Sequence, residues 1–152
     1  IQKGLLPGEP PHVAGYSLAG LNNPCRTVSG DYYDVIERPD GRVWCFVADV
    51  TGEGAPAAIQ MASLQAVVRA TISESDDPGK LLYRWNEFIC RETHRSRIIT
   101  CVLALVDPTA RTIAVACAAS SGVMKYLTVA PNGWPNTTPR PSRVSIVARL
   151  FR

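Results

Sequence analysis

The chain has 152 residues, of which 46% are hydrophobic and 19% charged, with a formal net charge of +3. Such a length and balance suit one globular domain with a real core. The charge is too small for a nucleic-acid surface: much of it sits in Arg140, Arg143, Arg149 and Arg152, and no basic stripe is interleaved with aromatics.

Five cysteines are present, Cys25, Cys45, Cys90, Cys101 and Cys117. An odd number without CxxC spacing argues against a zinc site or a disulfide framework and favours a reducing, cytoplasmic setting. No signal peptide is expected, and no apolar run is long enough to cross a bilayer as a helix, so no membrane insertion is expected. The first residue is Ile1 rather than Met, and the chain is expected to be a piece of a longer protein.

Ile1 to Pro7 reads as the end of a helix stopped by proline. Val13 to Gly20 reads as a first strand, punctuated by Asn22-Asn23-Pro24. Tyr32 to Glu37 and Arg42 to Ala48 are β-prone, and Pro39-Asp40-Gly41 between them is a strong hairpin signal. Trp44, Phe46 and Ala48 share one face of the second strand, and Val43, Cys45 and Val47 share the other. Both faces are apolar, which predicts burial on both sides.

Gly52-Glu53-Gly54 breaks that strand, and Ala55 to Thr71 reads as a helix with Pro56 in its first turn. Ile59, Met61, Ala62, Leu64, Ala66, Val67 and Val68 form its predicted apolar face, with Gln60, Gln65 and Arg69 outside it. Asp77 and Pro78 open a second helix to about Glu92, with Leu81, Leu82, Trp85, Phe88 and Ile89 at helical spacing. Ile98 to Val106 and Thr112 to Ala118 form a second hairpin around Asp107-Pro108-Thr109-Ala110, and Val123 to Val129 reads as a further strand. From Ala130 the chain is rich in Pro and Arg without strong periodicity. The order predicts an α+β fold with an antiparallel sheet.

The chemistry concentrates in Ser29-Gly30-Asp31-Tyr32-Tyr33-Asp34-Val35 and Val47-Ala48-Asp49-Val50-Thr51-Gly52-Glu53-Gly54. A hairpin between them sets Asp31 and Asp49 side by side at one end of a sheet. Hard divalent cations such as Mg²⁺ and Mn²⁺ take oxygen ligands of this kind, and the glycines let the backbone expose a carbonyl, that of Val50. The plainer alternative stays open, since an aspartate near a turn most often caps it. Asp34 reads as a brace for the loop, Asp40 as a turn residue, and Glu53 as a solvated rim residue.

These two motifs resemble the SpoIIE/RsbU-type branch of the PP2C (PPM) serine/threonine phosphatases. Ile1 to Pro7, Ile99-Thr100 and Val106-Asp107-Pro108 agree with that resemblance, which covers residues 1 to about 128. It implies an α-β-β-α sandwich of two antiparallel sheets flanked by helices. It implies hydrolysis of phosphoserine or phosphothreonine by metal-activated water, with Mn²⁺ or Mg²⁺ in a two-metal site. Asp31 and Asp49 would be the catalytic metal ligands through their carboxylates, and Val50 through its carbonyl. The substrate class it implies is a STAS-type anti-anti-sigma protein in sigma-factor regulation, with a sensor domain upstream. The expected division is a linker at 1–11, the phosphatase domain at 12–129 and an atypical tail at 130–152.

Two departures accompany the resemblance. Relatives have an Ala-Gly-His-type turn where this chain has Ala118-Ala119-Ser120-Ser121-Gly122. They also have a later Thr-Asp-Gly-type turn whose aspartate completes the metal site, and no Asp or Glu occurs here after Val129. Truncation, a shifted reading frame and a divergent tail all remain open, and the domain is expected to be incomplete at its C-terminal side. The alternative function is a phosphatase-like regulatory or binding module without catalysis. Among other residues, His94 reads as a surface residue at a helix end, Arg26 as a loop residue, Thr100 as strand packing, and Trp44, Trp85 and Phe88 as core.

Overall fold

The structure, a computed structural model, describes residues 2–13, 16–22, 30–92, 98–119, 125–129 and 144–150. A short 3₁₀ turn, Gln2–Leu5, stands where a helix end is expected. Strand β1 spans Tyr16–Asn22, β2 Tyr32–Glu37 and β3 Val43–Val50. Helix α1 spans Ala55–Thr71 and α2 Pro78–Glu92, with a 3₁₀ turn, Ile72–Glu74, between them. Strands β4 (Ile99–Asp107), β5 (Thr112–Ala119), β6 (Lys125–Val129) and β7 (Val144–Leu150) follow.

Five strands form one antiparallel sheet in the order β2-β3-β4-β5-β6. Each strand pairs with its neighbour in sequence, and the β3–β4 connection carries both helices. The β2–β3 turn closes through Arg38 and Gly41: the Arg38 amide donates to the Arg42 carbonyl at 2.8 Å and the Gly41 amide to the Arg38 carbonyl at 3.0 Å. Gly41 has φ of +80°, the left-handed conformation that a glycine adopts without penalty. A second pairing, β1 with β7, is two-stranded and parallel. The antiparallel sheet and its helices are as expected, while this second pairing is parallel rather than the second antiparallel sheet that the resemblance implies.

The core lies between the five-stranded sheet and the two helices. Tyr32, Trp44, Phe46, Ala48, Val50, Leu103, Leu105 and Ala116 from the strands meet Met61, Leu64, Val68, Leu81, Leu82 and Trp85 from the helices. Phe46 sits edge-on to both Tyr32 and Trp85, each at a centroid separation of 5.5 Å, a favoured aromatic geometry. The other face of β3 is less covered than its apolar pattern predicts: Cys45 and Val47 are half-buried, and Val102 beside them on β4 is 41% exposed.

The buried stripe of α1 is Ala57, Gln60, Met61, Leu64 and Val68. Gln60 therefore lies inside the stripe and Ile59 outside it, at 68% exposure, which reverses the sequence expectation for both. The physical reason is phase: positions 57, 60, 61, 64 and 68 follow the three-and-four spacing of one helix face, whatever their polarity. Phe88 of α2 is also turned outward, 49% exposed, whereas Trp44 and Trp85 are core as expected. Helix α2 starts as predicted, with Asp77 Oδ1 accepting from the Gly79 amide at 2.9 Å and the Lys80 amide at 3.3 Å.

Cys45, Cys90, Cys101 and Cys117 are free thiols. Burial pushes the Cys45 thiol up to about 11 and the Cys101 thiol up to about 12. An unfolded chain releases such protons from about pH 8.5, while the folded chain retains them. Stability is therefore fully present below that pH and is lost as pH rises through the folded values. Alanine at both positions is expected to flatten the loss, measured as urea midpoints between about pH 8 and about pH 11; an unchanged slope would contradict this.

Candidate metal centre

The β2–β3 register pairs Tyr32 with Ala48, and the Val50 amide continues it by donating to the Gly30 carbonyl at 3.4 Å. Asp31 therefore stands opposite Asp49 at the end of the hairpin. Residues opposed in an antiparallel pair share a face, with β-carbons about 5 Å apart. On the other side of Asp49 the register partner is Thr100 of β4. Asp31, Asp49 and Thr100 thus form one row across three strands. Because Ala48 and Val50 point at the helices, the row lies on the opposite face. Asp31 is buried, Asp49 half-buried and Thr100 exposed.

The glycines around the pair have separate reasons. Gly52 and Gly54 have φ of +110° and +71°, which turns the chain sharply from β3 into α1. The turn is tied to β4, since the Thr51 amide donates to the Ile98 carbonyl and the Ile98 amide to Thr51 Oγ1, both at 2.9 Å. Gly30 answers to space: a β-carbon there would lie 2.3 Å from the Val50 carbonyl oxygen. That contact is with backbone and cannot rotate away. Gly30→Ala is expected to pry the hairpin end open, costing about 1–3 kcal/mol and weakening divalent-cation binding more than it lowers the unfolding midpoint. Unchanged Mn²⁺ affinity by calorimetry would contradict this.

Asp34, on the helix face two residues after Tyr32, is fully engaged. Its Oδ2 accepts from Arg69 Nε of α1 at 2.6 Å and its Oδ1 from Arg69 Nη2 at 2.6 Å. Tyr32 Oη donates to the same carboxylate at 2.5 Å, and the Val35 amide donates to Oδ1 at 2.9 Å. Burial first, then the bond to Asp34, raises the Tyr32 phenol far above its ordinary range. Asp34 is the brace that its position suggests, though its main partner comes from a distant helix.

The other sequence candidates sort cleanly. Asp40 is a turn residue, chelated by Arg42 through Nε at 3.0 Å and Nη2 at 2.6 Å. The Arg42 side chain holds the Asp40 carboxyl down at about 2. Glu53 is exposed at the rim. His94, Arg26, Cys25, Ser29 and the turn at 120–122 lie outside the described residues. Among the described residues, no three His, Cys, Asp or Glu side chains come together.

The donors present suit a hard cation. Asp31 and Asp49 offer carboxylate oxygens, and the bare α-carbon of Gly30 leaves room at the Val50 carbonyl that a β-carbon would fill. An all-oxygen set of this kind fits Mg²⁺ or Mn²⁺ and disfavours softer metals.

The family model of Stage II sporulation protein E (SpoIIE) matches residues 39–127, more than half of the chain. The chain belongs to the SpoIIE family. Over 100 residues this SpoIIE-type domain is 25% identical to phosphoserine phosphatase RsbU of Bacillus subtilis, covering 66% of the chain and 30% of RsbU. Its fold is similar to the SiaA-PP2C domain of Pseudomonas aeruginosa, at a TM-score of 0.59 and 22% identity over 67% of this chain and 50% of that one. It is also similar to the RsbU and RsbW domains of a Mycobacterium tuberculosis protein, at a TM-score of 0.55 and 23% identity over 68% of this chain and 28% of that one. RsbX in complex with magnesium gives a TM-score of 0.54 at 17% identity, over 72% of this chain and 64% of that one. The chain is thus a SpoIIE/RsbU-type PP2C domain in fold, and it spans between 28% and 64% of the length of these relatives.

Two SpoIIE-domain residues near the centre escape a sequence reading. Asn22 of β1 donates through Nδ2 to the Asp31 main-chain carbonyl at 3.1 Å. Arg69 grips β2 from α1 across 35 positions of sequence. Neither carries a local motif, although a lone arginine near an apolar helix face was a weak signal for a buried partner.

Proposed function

We propose that this domain is a metal-dependent protein serine/threonine phosphatase. The observation that carries the reading is the opposition of Asp31 and Asp49 at one end of the β2–β3 hairpin, within a family that includes a named phosphoserine phosphatase. In this reading Asp31 and Asp49 hold the cation through their carboxylates, and Val50 holds it through its main-chain carbonyl. Mn²⁺ or Mg²⁺ bound there would lower the pKa of a coordinated water and neutralise charge on the phosphoryl oxygens. The buried Asp31 and half-buried Asp49 fix the donor positions before binding, so little reorganisation is needed. Gly30 keeps the approach to the Val50 carbonyl clear. Water adds to phosphorus, the bond to the seryl or threonyl oxygen breaks, and that oxygen takes a proton, leaving a free hydroxyl and inorganic phosphate.

The substrate class we assign is a phosphorylated STAS-type protein, in a cytoplasmic partner-switching pathway under an upstream sensor domain. The support for that finer statement is the resemblance of the two acidic motifs. No helix among the described residues is long and apolar enough to cross a membrane. The phosphatase domain is assigned to 12–129, between a linker at 1–11 and a tail at 130–152.

The test is phosphate release from a phosphoserine-bearing STAS protein, with Mn²⁺, with Mg²⁺ and after chelation. Turnover that needs the cation and stops on chelation supports the reading. Cation binding by calorimetry without turnover points to a phosphatase-like regulatory module, and turnover that survives chelation overturns the metal assignment.

A further inference from the structure

The β3–β4 ladder ends at the pairing of Val50 with Ile99, yet the two chains stay fastened one residue further out. The Thr51 amide donates to the Ile98 carbonyl, and the Ile98 amide donates to Thr51 Oγ1, both at 2.9 Å. Two residues so opposed in an ordinary antiparallel ladder exchange two main-chain bonds. Here the second bond goes to the threonine hydroxyl, which takes the place of the Thr51 carbonyl.

That exchange of one oxygen for another has a local reason. The chain turns away from the sheet at Gly52, with φ of +110°, and again at Gly54, with φ of +71°. A strand that turns so soon gives up its last main-chain acceptor. A short side chain with an oxygen on its β-carbon can supply another, and threonine carries one. The fastening to β4 therefore extends to the Val50–Thr51 peptide, right up to the turn.

This peptide is the one that carries the main-chain donor of the cation site. A trans peptide is planar, and its N–H and C=O point in opposite directions. The Thr51 N–H points at Ile98 beside β4, so the Val50 carbonyl points the other way, toward β2. The approach to Gly30 agrees, since a β-carbon there would lie 2.3 Å from the Val50 oxygen. On the β2 side the Val50 amide meets the Gly30 carbonyl at 3.4 Å, which is long for a hydrogen bond. The two shorter bonds of Thr51 thus set the direction of the Val50 carbonyl. Rotation of that peptide would turn its oxygen out of the donor set.

We propose that Thr51 is a positioning residue for the Val50 carbonyl: its amide and its hydroxyl latch the Val50–Thr51 peptide to Ile98 and so set the cation affinity of the centre. This inference rests on the metal-site reading above. Groups that orient a metal ligand typically change cation affinity by about 10- to 100-fold when removed. The test is calorimetric titration of Mn²⁺ into the metal-free chain, comparing wild type, Thr51→Val, Thr51→Ser and Asp49→Asn, with urea unfolding of each metal-free form. Valine keeps the branched shape and removes the hydroxyl, whereas serine keeps the hydroxyl. Thr51→Val is expected to bind Mn²⁺ about 10- to 100-fold more weakly, and Thr51→Ser to bind it as wild type does. Both metal-free unfolding midpoints are expected to stay close to wild type, because Ile98 is 52% exposed and water can bond its amide once the hydroxyl is gone.

Wild-type affinity in Thr51→Val, with binding lost in Asp49→Asn, overturns the role of Thr51 and leaves the metal site standing. Equal weakening in Thr51→Ser and Thr51→Val overturns the hydroxyl latch. Wild-type affinity in Asp49→Asn overturns the metal site itself. A measurement on the unaltered chain covers the case in which Thr51→Val fails to fold. The Val50 carbonyl carbon and the Ile98 amide are followed by ¹³C and ¹H–¹⁵N spectroscopy as Mg²⁺ is added. A Val50 carbonyl signal that shifts on binding, with an Ile98 amide already protected from hydrogen exchange in the metal-free chain, supports the inference. An Ile98 amide that exchanges freely before Mg²⁺ is added, or a Val50 carbonyl signal unmoved while those of Asp31 and Asp49 shift, overturns it.

Discussion

Asp49→Asn is expected to abolish cation-dependent phosphate release while leaving the fold intact. The substitution keeps the shape of the side chain and removes one of two negative charges in the pair. Asp49 is half-buried at the end of β3, and its main-chain pairing with Thr100 does not depend on the carboxylate. Like charges directly opposed across an antiparallel pair are destabilising, so the metal-free variant is expected to match or slightly exceed wild-type stability. The effect on function has the opposite sign and is far larger. Removal of even an outer partner of a metal ligand costs 10- to 100-fold, and loss of a ligand itself is expected to exceed about a hundredfold. Stabilisation by bound cation should vanish with it, because a ligand that no longer binds cannot shift the unfolding equilibrium. Phosphate release and thermal unfolding with and without Mn²⁺ measure both effects; cation-dependent turnover in the variant would refute the assignment of Asp49.

Arg69→Met carries the largest expected loss of stability. Asp34 has no exposed side-chain surface, whereas the Arg69 side chain is 45% exposed. The two partners are therefore not equivalent. Removing Arg69 leaves a buried carboxylate with only the Tyr32 hydroxyl and the Val35 amide as partners. Breaking a buried pair in this way costs about 3–5 kcal/mol. Removing Asp34 instead leaves an arginine that can turn to water, and the residual cost is chiefly the orphaned Tyr32 hydroxyl, about 1–3 kcal/mol. Urea unfolding is expected to rank Arg69→Met below Asp34→Ala, with the double variant milder than the sum of the two. Equal and small losses would show that the ion pair contributes little.

The contrast between these two sites also shows what a sequence can reveal. Asp31, Asp49 and the turn between them were legible because the pairing is local: a turn with Asp40-Gly41 fixes the register, and the register decides which residues oppose. Helix α1 was legible at its start, where Gly54 and Pro56 mark the boundary. Its buried face was not, because apolar residues are spread around the helix and phase alone decides between Ile59 and Gln60. The bonds from Arg69 to Asp34 and from Asn22 to Asp31 were hidden for another reason. Each joins elements whose relative placement arises only from packing, and no local pattern encodes it. The parallel pairing of β1 with β7 belongs to the same class, since it joins residues 16–22 to 144–150.

That difference in range bears on how the chain assembles. Pairings between sequence neighbours close small loops and form quickly, whereas distant ones must wait for larger loops to close. The hairpin that opposes Asp31 to Asp49 links residues only 18 positions apart, while Tyr16 and Val144 in the parallel pair are separated by almost the whole chain. The hairpin that opposes the acidic pair is therefore expected to close before the parallel pair. The row that opposes Asp31 to Asp49 belongs to the quick part of the fold, and the parallel pair to the slow part.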